Sequence, residues 1–441
     1  MLRRAGLVAG GVLALALALP PVAPAVADPN EDDAALREAI EELIDEHELD
    51  AVPSYAVTVT YRDGTEILRR HADKPMLPAS TVKLLTAAAA YRLLGPDYRY
   101  QTMLYADGPI EEGTLHGDLF LRGGGDPALA SPLYLEQIAD DRPSTPLAPL
   151  VDAVTAAGIS EVRGRVIADV GRDGHEPLAE GWPDRYLANL DTSRVTALTI
   201  DAGRALTLVG EQDEEDEQEP VLLAAAAADP ARTTAEVLTD LLIDAGVEVQ
   251  GDPLRGVTPW SAVELGRVES PPLRDLLAVI LKASDNQMAD GVFRSLGAAT
   301  GSPTWSGSSA AVQATLTDLA LPWDGAVVVD GSGLSRDNLL SAELLADLDR
   351  TFTDTHGPAW RDLMAVGAED GTLRNRWHGT AAAGRVTGKT GFLQDAVSLV
   401  AEVQGASGEH YHLTVLSKAD WPELGAVRPF SDDLAVLLAE Q

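Results

Sequence analysis

Apolar residues recur along this chain with two periods, one typical of helices and the other typical of strands. The apolar positions of 82–93 have helical spacing and predict a buried helix that stops at Gly95, whereas alternation over 55–61 predicts a strand. The same patterns predict further helices over 31–48, 147–157, 234–245, 285–296, 309–319, 341–352 and 429–438, and further strands over 117–122, 164–168, 197–200, 397–403 and 412–416. Longer elements therefore lie at both ends of the chain, and short strands with turns lie between about 98 and 267.

This change of pattern predicts an α/β protein with a split catalytic domain. Residues 28–97 and 268–441 are expected to form the two parts of that domain, and 98–267 a β-rich inserted domain. The insert contains no serine-lysine pair and no histidine constellation, so we expect it to shape access to a site. Its segment Gly123–Ala128 is glycine-rich, but Pro127 and the lack of a βαβ context favour a turn over a dinucleotide-binding loop.

The first 27 residues have the pattern of a secretory signal. Arg3 and Arg4 precede an apolar run, and Ala25-Val26-Ala27 is a small-residue cleavage pattern. Three prolines interrupt the apolar run, so no stable transmembrane anchor is expected, although an uncleaved anchor remains the alternative. We predict an exported protein that works outside the cytoplasm, in the cell wall or a periplasm-like space.

Charge and cysteine content narrow the classes of partner. The formal net charge is −36, and such an acidic surface repels nucleic acid and anionic membranes. The nearly all-acidic run 211–219 is interpreted as a solvated loop. The chain has no cysteine, which excludes disulfides and lipid attachment through cysteine.

Candidate chemistry begins at Ser80 and Lys83, at the start of the predicted buried helix. Residues three apart share a helix face, so the Lys83 amine can reach the Ser80 hydroxyl. Burial depresses a lysine pKa, and the neutral amine can then act as a base for the serine nucleophile. Lysine is rare here, five residues among 33 basic ones, and arginine could not serve because it keeps its proton.

Two further triplets make the pair significant. Ser284-Asp285-Asn286 lies between two apolar stretches, and Lys389-Thr390-Gly391 precedes a β-rich run. Each triplet is expected by chance on the order of 0.02 to 0.03 times in this composition, and all three in this order far more rarely. Taken singly, Ser80 and Asn286 could be helix caps and Lys389 a surface cation; in combination they indicate a site.

Ser-x-x-Lys, Ser-Asp-Asn and Lys-Thr-Gly in this order resemble the penicillin-binding proteins and class A β-lactamases. Within that group, the chain resembles the class C low-molecular-mass penicillin-binding proteins, the D-alanyl-D-alanine carboxypeptidase/endopeptidase family. The segments that carry this likeness are Gly124–Pro127, Gly181-Trp182, Asp330–Arg336 and Asp370–Leu373, together with the long insert between Lys83 and Ser284. The resemblance implies a penicillin-binding transpeptidase/β-lactamase-like domain, an antiparallel sheet flanked by helices, split by the β-rich insert.

The resemblance also implies a role for each motif residue. Ser80 would attack the carbonyl between two D-alanines, Lys83 would take its proton, and Ser284 would relay a proton to the leaving amine. Asn286 would bond the substrate backbone, while Lys389 and Thr390 would hold its terminal carboxylate. The backbone N–H groups of Ser80 and Phe392 would form the oxyanion hole; Phe392 departs from the small or polar residue usual there. No metal or other cofactor is implied.

Three functions are compatible with these motifs. The first is a serine D-alanyl-D-alanine carboxypeptidase, with or without additional endopeptidase action, that acts on peptidoglycan stem peptides and binds β-lactams covalently. The second is a β-lactamase, disfavoured by the insert and by the lack of an identifiable deacylating glutamate. The third is a catalytically silent wall-binding or sensor protein, which the intact motifs disfavour.

Overall fold

The computed structural model describes residues 29–139, 141–173, 176–209, 221–420 and 423–441. Within these ranges, no helix combines the length and the apolar character needed to cross a membrane. The predicted signal segment 1–27 and the acidic run 211–219 lie outside the described residues.

The helices and strands are numbered in chain order. The helices are α1 (Pro29–Glu46), α2 (Lys83–Leu93), α3 (Pro132–Gln137), α4 (Ala148–Ala156), α5 (Arg185–Ala188), α6 (Pro230–Asp244), α7 (Leu273–Lys282), α8 (Asn286–Ala299), α9 (Trp305–Leu316), α10 (Ala342–His356), α11 (Pro358–Arg361) and α12 (Val427–Glu440). The strands are β1 (Ser54–Tyr61), β2 (Glu66–Arg70), β3 (Gln101–Asp107), β4 (Ile110–Glu111), β5 (Thr114–Leu115), β6 (Asp118–Arg122), β7 (Leu129–Ala130), β8 (Thr145–Pro146), β9 (Glu161–Val162), β10 (Val166–Asp169), β11 (Arg204–Val209), β12 (Val221–Ala226), β13 (Glu248–Val249), β14 (Leu254–Gly256), β15 (Val263–Glu269), β16 (Ala365–Val366), β17 (Val386–Leu393), β18 (Ala396–Gln404) and β19 (His410–Lys418).

The two ends of the chain share one antiparallel sheet. Its strand order is β16-β17-β18-β19-β1-β2, so β1 near the start of the chain pairs with β19 near its end. One face packs against α1 and α12, and the other faces a core that includes α2, α7, α8, α9 and α10. Strands β1, β18 and β19 contribute side chains to both cores, so both sheet faces are covered, as expected for helices flanking an antiparallel sheet.

Strands β3 to β15 form sheets separate from the six-stranded one. The largest has the order β14-β10-β6-β3-β15, and it packs with α4 and α6 around a third apolar core. Its outer pair, β3 and β15, is antiparallel and brings the chain back to the point where α7 begins. The division at 97/98 and 267/268 stays a prediction, with which this arrangement of sheets is compatible.

One predicted strand is wrong. Residues 197–200 form no strand; they contribute only the isolated bridge between Leu198 and Asp126. The reason is local, because the Thr199 hydroxyl donates to the Thr196 carbonyl at 2.9 Å and accepts from its N–H at 3.1 Å. Such side-chain hydrogen bonds close a turn and compete with strand pairing.

Helix α2 differs from its prediction at its start. The α-helix begins at Lys83, and Ser80 lies in the short 3₁₀ turn Ala79–Val82 that precedes it. Residues Ala87 to Ala90 are all fully buried, and their short side chains let the surrounding helices approach closely. The result is a rigid, buried platform for the residues at its amino end.

Candidate active site

Ser80 lies on a tight turn that is held from both sides. Ala79 has a left-handed backbone with φ of +50°, which is unfavourable for a residue with a Cβ. The preceding carbonyl, of Pro78, accepts hydrogen bonds from the hydroxyls of Thr81 and Ser398, both at 2.7 Å. Ser398 belongs to β18, so the central sheet fixes this strained turn in place.

Lys83 is the centre of the hydrogen-bond network around the serine. Its side chain is fully buried, and its Nζ lies 3.0 Å from Ser80 Oγ, 2.8 Å from Asn286 Oδ1 and 2.5 Å from the Ser332 carbonyl. Burial lowers the pKa of Lys83 to about 8, an effect that nearby carboxyl groups only partly offset. An amine with this pKa is neutral in a useful fraction of molecules near neutral pH and can accept the proton of Ser80.

The Ser-Asp-Asn triplet lies at the start of α8. Asp285 caps the helix by accepting from Met288 N at 2.9 Å, and Ser284, just before it, has a left-handed backbone with φ of +60°. The Asn286 amide is already engaged: its oxygen accepts from Lys83 and its nitrogen donates to the Asp191 carbonyl at 2.8 Å. Asn286 thus holds Lys83 in place, and its predicted bond to the substrate is left for the second N–H of the same amide.

Lys389, which is fully buried, forms a second serine-lysine pair with Ser284. Its Nζ donates to Ser284 Oγ at 2.9 Å and to the Thr390 carbonyl at 2.7 Å. Burial lowers the pKa of Lys389 well below its usual value, and the Lys83 ammonium lowers it further. Ser80, Lys83, Asn286, Ser284 and Lys389 are therefore in one region, although they come from three distant segments.

The end of β17 provides the open edge of the site. Strand β16 pairs only with Thr387 and Gly388, and the rest of β17 extends beyond it. A Cβ on Gly391 would lie 2.1 Å from Ser398 Oγ, so this position must be glycine for the strand to approach the Ser80 turn. Phe392 follows and is 69% exposed, consistent with a role that uses its backbone; the oxyanion-hole role of Ser80 and Phe392 stays a prediction.

The loop of Asp330 was not assigned a role from the sequence. Its carboxylate is buried and accepts from the N–H groups of Gly333 and Ser335, from Trp182 Nε1 and from Asn338 Nδ2, all within 2.8 Å. Through these bonds it fixes the segment whose Ser332 carbonyl accepts from Lys83. The available signal was the likeness of Asp330–Arg336 to the class C penicillin-binding proteins, which indicates a functional segment but gives no role to the Asp330 carboxylate.

Asp290 and Thr372 are two further residues to which the sequence analysis gives no role, although Thr372 lies in the segment Asp370–Leu373 that carries the family likeness. Burial and the neighbouring Asp330 raise the pKa of Asp290 well above its usual value, and its Oδ1 accepts from Gly331 N at 2.9 Å. Thr372 Oγ1 lies 2.8 Å from Thr390 Oγ1, so two hydroxyls meet where the substrate carboxylate is expected. For Asp290, the sequence signal was its spacing of one helical turn from Asn286.

One family model and two known carboxypeptidases are similar to this chain over most of its length. The model of a family described as the D-Ala-D-Ala carboxypeptidase 3 (S13) family matches residues 36–223 and 206–435. A D-alanyl-D-alanine carboxypeptidase of an Actinomadura species is 30% identical over 471 residues, covering 92% of this chain and 84% of that protein. The carboxypeptidase DacB of Mycolicibacterium smegmatis is 30% identical over 368 residues, covering 81% of this chain and 75% of its own length.

A solved structure is similar over nearly the whole chain. Penicillin-binding protein 4 of Haemophilus influenzae superposes with a TM-score of 0.77 at 22% identity, covering 91% of this chain and 99% of that one. At this identity the superposition establishes the fold, a penicillin-binding-protein architecture of mixed α/β type with antiparallel sheets.

Proposed function

Because the chain belongs to the D-Ala-D-Ala carboxypeptidase 3 (S13) family, we propose that it is a serine D-alanyl-D-alanine carboxypeptidase acting through an acyl-enzyme on Ser80. The observation that carries the proposal is the buried Lys83 amine, 3.0 Å from Ser80 Oγ and with its pKa lowered to about 8. The substrates are peptidoglycan stem peptides that end in D-Ala-D-Ala, and β-lactams are covalent inhibitors.

Acylation begins when Lys83 accepts the proton of Ser80. The serine oxygen attacks the carbonyl carbon between the two D-alanines, and the backbone N–H groups of Ser80 and Phe392 stabilise the oxyanion. The tetrahedral intermediate collapses as the peptide C–N bond breaks, and the leaving amine takes the proton held by Lys83, relayed through Ser284. The Lys389 contact to Ser284 Oγ, 2.9 Å, supports this relay because it ties that hydroxyl to a second proton-carrying group.

The same residues account for substrate recognition. Lys389, Thr390 and the adjacent Thr372 hydroxyl would bind the free carboxylate of the terminal D-alanine through charge-assisted hydrogen bonds. Water then attacks the acyl carbonyl and gives its proton to Lys83; the bond from the acyl carbon to Ser80 Oγ breaks, the proton returns from Lys83 to Ser80, and the shortened peptide is released.

A direct assay tests the proposal. The mature protein is incubated with a D-alanyl-D-alanine-ending pentapeptide and with a purified cross-linked muropeptide dimer, and the release of D-alanine and of monomer is followed by chromatography. We expect both activities, with D-alanine release the easier to detect, together with a persistent penicillin adduct. Rapid penicillin turnover would instead identify a β-lactamase, and penicillin labelling with neither product a sensor.

The pH dependence of acylation follows from the lowered pKa of Lys83. Only the neutral amine accepts a proton, so the second-order rate of penicillin acylation should fall about tenfold per pH unit below about 8 and level off above it. Stopped-flow measurement with a chromogenic β-lactam between pH 6 and 9 checks this. A flat profile would show that Lys83 is not the base.

Action on peptidoglycan places the protein outside the cytoplasm. We propose export through the segment 1–27, with cleavage after Ala27. Sequencing the amino terminus of the protein recovered from outside the cells should return Asp28 as the first residue. Recovery of Met1 on membrane-bound protein would instead identify the segment as an anchor.

A further inference from the structure

A cavity of about 630 Å³ adjoins strand β17, and apart from Thr390, Thr372 and Phe392 its lining residues have no part in the roles above. Thr390, Gly391 and Phe392 form its wall on the side of the strand, and α12 with the turn before it forms the opposite wall. Because Thr390 and Thr372 both line the cavity, a molecule whose carboxylate meets these hydroxyls lies at its mouth.

The register of β17 shows which side of the sheet the cavity occupies. Lys389 is opposite Val400, whose side chain belongs to the core on the Ser80 side, whereas Thr390 is opposite Leu399, which packs against α12. Since side chains alternate along a strand, Thr390 and Phe392 face the α12 side. A substrate lying across the open edge of β17 therefore has Ser80 on one side and this cavity on the other.

The walls of the cavity combine apolar side chains with a positive charge that forms no ion pair among the described residues. Phe392, Val397, Leu424 and Pro429 contribute apolar groups, and among the described residues that line the cavity there is no aspartate or glutamate. A site of this kind suits an aliphatic chain that carries carboxylates.

Two arginines supply the charge. Arg376 is buried and donates to Asp432 Oδ1 at 2.6 Å, so its charge is compensated. Burial lowers the pKa of Arg376, and the Arg428 guanidinium, close by, also lowers it, whereas Asp432 raises it. Arg428 lies in the first turn of α12 with an exposed side chain, and within the described part of the chain it forms no ion pair. In a chain of net charge −36, an uncompensated cation in a cavity beside the catalytic strand points to an anionic ligand.

We propose that this cavity binds the leaving-side stem of a D,D-cross-linked peptide dimer, an inference that rests on the proposed function. In such a dimer the amino acid after the scissile bond carries a free carboxylate, as terminal D-alanine does, but has a long aliphatic side chain in place of a methyl group. With the carboxylate at Thr390 and Thr372, that side chain enters the cavity along Phe392. The carboxylates of the second stem then bind the Arg428 guanidinium.

According to the proposal, Arg428 contributes to cleavage of the dimer but not to cleavage of the pentapeptide. A pentapeptide has only a methyl group to place in the cavity, so its cleavage should not depend on Arg428. Loss of one charge-assisted contact corresponds to about a tenfold loss in kcat/KM for the dimer. Arg428→Glu should therefore lower dimer cleavage about tenfold or more, whereas Arg428→Lys should retain most of it.

The experiment compares wild type, Arg428→Glu and Arg428→Lys on the pentapeptide and on the muropeptide dimer, with fluorescent penicillin labelling as a third measurement. Arg163→Glu is the matched control, because Arg163 is exposed, pairs with Glu161 and lies among the strands of the inserted region. A selective loss on the dimer with unchanged trimming and labelling supports the proposal. Three results would overturn it. The Arg428→Glu variant could change cleavage of both substrates equally, or it could cleave the dimer as fast as the wild type. The third result is a wild type that trims the pentapeptide but leaves the dimer intact. A wild type with neither product and no penicillin adduct would instead refute the proposed function.

Discussion

Replacing Ser80 with alanine is expected to abolish both penicillin labelling and D-alanine release. The substitution removes the oxygen that we propose forms the acyl-enzyme, and we expect a loss in kcat/KM of at least about 10⁴-fold, in line with the removal of other serine nucleophiles. The fold should survive, because the Ser80 turn is held through the Pro78 carbonyl and not through the Ser80 hydroxyl. Fluorescent penicillin followed by denaturing electrophoresis measures the labelling, and thermal unfolding checks the fold.

Ser306→Ala provides the matched control for this measurement. Ser306 is an exposed serine in α9, and its hydroxyl contacts only Thr304 among the described residues. The control should label like the wild type. Undiminished labelling of the Ser80→Ala variant would show that another residue is the nucleophile.

Replacing Lys83 with arginine should reduce acylation by on the order of 10³-fold or more. Arginine retains the positive charge but cannot release its proton, so the variant separates base catalysis from electrostatic support of the site. The larger guanidinium must also fit a fully buried position whose three contacts lie within 3.0 Å of Nζ. Stopped-flow acylation rates, with thermal unfolding in parallel, measure the effect.

Lys282→Arg is the corresponding control. Lys282 lies two residues before Ser284, is partly exposed and pairs with Asp370 at 2.5 Å, an interaction that arginine can replace. Its acylation rate should stay within a few-fold of the wild type. A near-normal rate for Lys83→Arg would assign Lys83 to packing or charge balance.

The sequence predicted the parts of the site that are encoded locally. The spacing of Ser80 and Lys83 implied a contact between their side chains, and the two atoms lie 3.0 Å apart. That Ser284 and Lys389 join them could be expected only from the resemblance, because no periodicity links segments so distant in the chain. The structure brings these residues together, and their individual roles stay predictions.

The remaining contacts depend on loops that carry no periodic signal. The Ser332 carbonyl accepts from Lys83 because Asp330 gathers four donors around its carboxylate, and backbone carbonyls cannot be identified from a sequence pattern. The strand predicted over 197–200 failed for a related reason. There the hydroxyl of Thr199 provides the backbone of Thr196 with local partners that a count of β-branched residues does not detect.

The pairing of β1 with β19 has a consequence for the order in which the protein folds. During synthesis β1 leaves the ribosome long before its partner β19, because β2 to β18 are made between them. The separate sheet of β3, β6, β10, β14 and β15 is complete well before then, so it can form first and keep the growing chain compact. Contacts between such distant segments also slow folding. Since Lys389 arrives on the late strands, a nascent chain cannot have a complete site, and reaction with penicillin should report that folding has finished.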